Sequence, residues 1–155
     1  MPNFPPSTQN ILVAEKLGIR VDRAASTLPQ GTTGTIFTVS GGRVLITALV
    51  GTVTVVLGAV GNMKYTGHMA AGTDQDLCAV VAAGTAEVGS KFVLPNAVGT
   101  ALSLFTNGGG DLLQCNKLLE SGATILWSLS LSSTGQMSHT LWYLPLDPGA
   151  SIAAN

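Results

Sequence analysis

The stretch Thr35-Ile36-Phe37-Thr38-Val39-Ser40-Gly41-Gly42-Arg43-Val44-Leu45-Ile46-Thr47-Ala48-Leu49-Val50 holds two runs of β-branched and aliphatic residues around a glycine pair. Branching at Cβ stiffens χ1 and favours a pleated backbone, so Thr35–Val39 and Arg43–Val50 read as strands. Glycine reaches positive φ without steric cost, and Gly41-Gly42 therefore suits a two-residue hairpin turn between them. A second hairpin is expected further along the chain. Ile125, Trp127, Leu129 and Leu131 share one parity, Thr124, Ser128 and Ser130 mostly the other, and Ser132-Ser133-Thr134-Gly135 leads into a partner strand through Leu141-Trp142-Tyr143-Leu144.

Between these segments, strands are expected near Thr52–Leu57, Met63–Met69, Asp76–Ala82, Lys91–Leu94, Ala101–Phe105 and Leu112–Cys115. Glycines punctuate the connections, and long amphipathic helices are not evident. Many short strands with glycine-bearing turns predict an all-β protein, a β-sandwich or jelly-roll-like barrel.

The N-terminal part differs. Pro2, Pro5, Pro6 and Pro29 accompany the polar run Ser7-Thr8-Gln9-Asn10, and proline both fixes φ and removes a donor. Met1–Asn10 should be extended; Ile11–Leu17 could form a helical turn or two ended by Gly18. Ile19-Arg20-Val21-Asp22-Arg23 alternates apolar and charged, as a strand with one face on protein and one in water would. The expected organisation is an extended arm over residues 1–33 and a sandwich domain over 34–155. Phe4, Ile19, Arg20, Val21 and Arg23 are the arm residues expected to contact a partner, with Ile19–Arg23 adding as a strand to a neighbour's sheet edge.

Charge is scarce. Lys, Arg, Asp and Glu make up 10% of the 155 residues, against about 25% in ordinary soluble domains. On the surface of a monomer this size that is roughly one charge per 490 Å², against roughly 190 Å² for an average composition. Such a surface is poorly protected against association. Membrane insertion does not account for it: the most apolar run, Val44–Val60, is cut by Thr47, Gly51, Thr52, Thr54 and Gly58 and favours strands. Burial against other protein chains does. A net charge of -1 with scattered basic residues argues against an electrostatic grip on nucleic acid, since Lys16, Arg20 and Arg23 are interleaved with Glu15 and Asp22. The N-terminus lacks the basic start and apolar stretch of a secretory signal, so folding in the cytoplasm is expected.

Chemistry-bearing motifs are thin. His68 and His139 lie in no metal-binding spacing, and Cys78 and Cys115 form no CxxC pair and sit in apolar surroundings, as buried free thiols do. Asp74-Gln75-Asp76 offers two carboxylates but no further oxygen ligands, and reads as a turn. Gly108-Gly109-Gly110-Asp111 lacks the lysine of a phosphate-binding loop and reads as a loop. Trp127, Trp142, Tyr65 and Tyr143 could stack on a sugar, although packing in a core or interface is the plainer role for them. No catalytic residue, cofactor or metal is expected.

Two segments carry a resemblance. Ser133-Thr134-Gly135 with Leu141-Trp142-Tyr143-Leu144-Pro145-Leu146-Asp147-Pro148-Gly149-Ala150 looks like the closing hairpin of small virion structural proteins of tailed bacteriophages. Arg20-Val21-Asp22-Arg23-Ala24, Leu28-Pro29-Gln30 and Thr35–Val44 resemble their N-terminal part. The resemblance implies a head decoration (cement) protein, β-rich, homotrimeric, seated on the virion's capsid surface and bound to the major capsid protein. A tail- or fibre-associated protein that binds a receptor or glycan is the alternative.

Overall fold

The computed structural model describes residues 17–29, 33–58, 61–84, 86–106 and 108–155. Among them are twelve strands and no helical element: β1 (Ile19–Thr27), β2 (Thr33–Ser40), β3 (Val44–Val55), β4 (Asn62–His68), β5 (Gln75–Asp76), β6 (Val81–Ala82), β7 (Lys91–Val93), β8 (Ser103–Phe105), β9 (Lys117–Leu119), β10 (Thr124–Leu129), β11 (Gln136–Pro145) and β12 (Ser151–Ala154). A front sheet runs β1-β11-β3-β7-β8, with β9 also against β3; a back sheet runs β12-β2-β10-β4-β5, with β6 also against β4. Strand pairings within both sheets are antiparallel. The two sheets pack together as a β-sandwich, and the orders β1-β11-β3-β7 and β2-β10-β4-β5 interleave as in a jelly roll.

Both expected hairpins are corrected by this topology. β2 and β3 flank Gly41-Gly42 but lie in different sheets, and so do β10 and β11. β2 is hydrogen-bonded by β10 and β12, while β3 is bonded by β11 on one side and by β7 and β9 on the other. The reversals are arches across the core. Each arm of the first carries buried side chains, Ile36, Phe37 and Val39 against Val44, Ile46 and Leu49. Stacking the arms face to face, about 10 Å apart, buries both sets at once. Gly41 (φ 75°) turns where the chain crosses, and a Cβ there would run into the Gly149 carbonyl. The corner is clamped from the C-terminal side: Arg43 gives two guanidinium hydrogen bonds to Asp147, at 2.8 and 3.0 Å, and its backbone N–H a third, at 2.8 Å.

Other expectations shift locally. The strand expected at Thr52–Leu57 is the continuation of β3. Asp76–Ala82 is two short pieces, because Ala79 leaves β4 to bridge Ala101 in parallel and bury Leu77 and Cys78. Leu112–Cys115 is not a strand; pairing resumes at Lys117, after the Cys115 N–H has bonded the Thr47 carbonyl. Leu131 falls beyond the end of β10 and is exposed, whereas Ile125, Trp127 and Leu129 are buried as their parity predicts.

A bulge explains one departure from alternation. Phe37 and Thr35 face Ile125 and Leu126 in turn, which leaves Ile36 as an extra residue, and Ile36 and Phe37 are both buried. At the centre of the core β3 has a glycine, Gly51, between His139 of β11 and Phe92 of β7. A Cβ on Gly51 would lie 2.5 Å from the Tyr65 hydroxyl and 2.6 Å from the Met137 methyl. Gly51→Ala should therefore destabilise the fold by about 1–3 kcal/mol through overpacking. Gly99→Ala, where nothing lies within 4 Å, should stay within about 0.5 kcal/mol of the parent in urea unfolding.

Candidate interaction surface

Strand β11 positions the side chains that matter. It is bonded to β1 and β3, and its residues alternate between the core (Met137, His139, Leu141, Tyr143) and the outer face of the front sheet (Ser138, Thr140, Trp142, Leu144). The two tryptophans, expected alike in packing, take different places. Trp127 on β10 is buried in the core, while Trp142 is half-buried on the outer face.

Of the expected arm residues, Phe4 lies outside the described residues, as do Ile11–Lys16. Ile19, Arg20, Val21 and Arg23 lie on β1, opposite Tyr143, Trp142, Leu141 and His139 of the same chain. The stretch expected to add to a neighbour's sheet is thus paired within its own, and Ile19–Thr27 of the segment assigned to the arm forms strand β1 of the sandwich. A bulge between Arg23 and Ser26, with the charges of Arg20 and Asp22, makes the remaining edge a poor template for another strand.

The charges of β1 are used on both faces. Arg20 sits 5.8 Å from the Trp142 ring centroid and donates to Asp22 at 3.0 Å; Thr140 donates to the same carboxylate at 2.8 Å. Partial burial pushes Asp22 upward, but the hydrogen bonds from Thr140 and Arg20 prevail and hold its pKa below the ordinary value. Arg23 turns inward. Its guanidinium lies 5.6 Å from the Trp127 centroid, and it donates to the Ser26 hydroxyl at 2.5 Å and the Asn155 carbonyl at 2.6 Å, tying the front sheet to the end of the back sheet.

Beside Trp142 is an open cleft of about 310 Å³, lined by Val50, Thr52, Lys91, Val93, Gly110, Asp111, Leu112, Thr140 and Trp142. Its floor follows from register: Thr140 faces Val50, Val50 faces Val93, and Thr52 faces Lys91. The third wall is the glycine-rich loop. Gly110 (φ 153°) lies on the Phe105 ring, where a Cβ would come within 2.6 Å of a ring carbon.

The remaining candidates are placed elsewhere. His68 pairs with Asp74, and Lys64 with Asp76 at 2.6 Å, so the Asp74-Gln75-Asp76 carboxylates are bound to basic groups of β4. No group of three or more metal-ligating side chains occurs among the described residues. No described helix is long and apolar enough to cross a membrane. Cys78 and Cys115 are buried free thiols, as expected; burial raises both, Cys115 to about 11, which keeps them protonated at neutral pH.

His139 is fully buried, edge-on to Trp127 (4.7 Å between centroids) and Tyr65 (5.9 Å). Among the described residues, neither of its ring nitrogens has a hydrogen-bond partner, nor has the Tyr65 hydroxyl. Burial, helped by the Arg23 guanidinium, lowers the His139 pKa from 6.5 to about 3. No family model, curated protein or solved structure matches the chain.

The buried imidazole makes a stability prediction. Between the unfolded value of 6.5 and the folded value of about 3, the unfolded chain binds the proton that the folded one refuses. The His139 contribution is complete above pH 6.5 and is lost as pH falls, by on the order of 1 kcal/mol per pH unit. Denaturant titrations from pH 7 to pH 4 should show this slope in the parent protein and a flatter one in His139→Leu.

Proposed function

We propose that this chain is a capsid decoration (cement) protein of a tailed bacteriophage, a homotrimer that binds the major capsid protein on the virion surface and stabilises the head. The observation that carries the proposal is where the sandwich leaves large aliphatic side chains in water. One end, where β3 stops and β11 starts, exposes Val56 (50%), Val88 (58%) and Leu131 (55%). The opposite end exposes Leu118 (53%), Leu144 (36%) and Leu146 (47%), with Leu118 and Leu144 both opposite Leu45 in the sheet.

These two separated groups, six of the eleven exposed large aliphatic side chains among the described residues, suit a subunit that must hold its own copies and a lattice at once. With charged residues at 10% of the chain, little repulsion opposes either contact. Avidity then does the binding: linking several modest contacts raises overall affinity by about 10² to 10⁴. The resemblance of the two terminal segments to phage virion proteins supports the same reading, and jelly rolls recur in viral capsid domains. Fold alone does not assign function, so the surface carries the argument.

Electron cryomicroscopy of virions should place the chain on the capsid lattice; density confined to tail or fibre would overturn the proposal. In co-sedimentation with capsids lacking the protein, Val88→Asp with Leu131→Asp should weaken binding about tenfold or more, the size of effect expected when a charge enters an apolar contact. The melting temperature should stay close to the parent's, because both sites are exposed.

A further inference from the structure

We infer that the cleft between Trp142 and the Gly110–Leu112 segment is a binding site for a neutral saccharide, independent of where on a virion the chain sits. The site is built, not incidental. Thr140 and Arg20 both bond Asp22, and Arg20 lies over the indole of Trp142, so ionic and hydrogen-bonded contacts hold the ring from the β1 side. Arg20 does not line the cleft, whereas Trp142 does. The indole therefore keeps surface free toward the cleft, and preorganised rings lower the cost of ordering on binding.

The lining selects the ligand. Trp142 and Val50, with Leu112 of the loop, offer an apolar wall and floor to the C–H faces of a pyranose. Around them stand hydroxyl, ammonium and carboxylate groups, from Thr52, Thr140, Lys91 and Asp111, which together can donate to and accept from ring hydroxyls. The volume of about 310 Å³ is at the small end for ligand pockets, about 300–1,000 Å³, and suits a short oligosaccharide end. Phosphate is disfavoured, because Lys91 is the single cation among the described lining residues and shares the cleft with the Asp111 carboxylate. A fully apolar ligand would strip water from those polar groups without replacing it.

The two tryptophans make the test direct. Trp127 is 1% exposed and reports the core, so a saccharide that changes fluorescence acts through Trp142. The full chain is screened on an array of neutral oligosaccharides, and hits are titrated by tryptophan fluorescence and calorimetry. Saturable binding is expected, weakened at least tenfold in Trp142→Ala and severalfold in Asp111→Ala, which lies in an exposed loop and leaves folding intact. Absence of binding to any arrayed neutral glycan overturns the inference. So does binding that Asp111→Ala and Trp142→Phe both leave unchanged.

Discussion

Strand β11 is hydrogen-bonded along both edges, to β1 and to β3, and the rest of the molecule depends on that placement. Its inward residues close the core and its outward residues shape the front surface, so one ten-residue strand commits both sides of the sheet. The pairings span most of the chain: Ile19 meets Tyr143, and Val44 meets Pro145. Closing loops of that length costs entropy before contacts repay it, which makes this a fold of slow, non-local assembly. The Arg43–Asp147 clamp acts at the same end, fixing the β2–β3 corner against the segment that follows β11. Its effect on Asp147 is large: the Arg43 side-chain and backbone hydrogen bonds take the carboxyl down to about 2.

Two polar side chains of the core meet beside β11 as well. His139 and Tyr65 converge beside Gly51, which supplies room by lacking a Cβ. An unpaired imidazole costs less neutral than charged, and burial keeps it neutral. Arg23, partly buried beside Trp127, offsets that cost by donating to the Ser26 hydroxyl and the Asn155 carbonyl, where it joins the edges of the two sheets. Stability and edge protection thus come from the same short strand, β1. Its alternation of charged and apolar residues serves the chain's own sheet.

Local pattern carried much of the architecture. Alternation on β10 identified Ile125, Trp127 and Leu129 as core, and the glycine punctuation correctly implied many short strands. It failed at the reversals. A turn signal says that the chain doubles back, but the same residues serve a hairpin within a sheet and an arch between sheets; which one forms depends on distant strands competing for the edges. The bulge at Ile36 and the split around Leu77-Cys78 were hidden for a related reason, since both follow from packing partners far along the chain.

The amino-acid sequence by itself determined the class of fold and the charge-poor, apolar composition. These are properties of composition and of neighbours a few residues apart, which need no knowledge of contacts. Only the tertiary structure decided that β1 completes its own sheet, that Trp127 lies inside and Trp142 outside, and that Lys91, Asp111 and Thr140 share one cleft. Side-chain parity tells which residues share a face, but not which face meets the other sheet. That choice is made when two sheets bury their apolar sides together, and it sets what is left for a partner to touch.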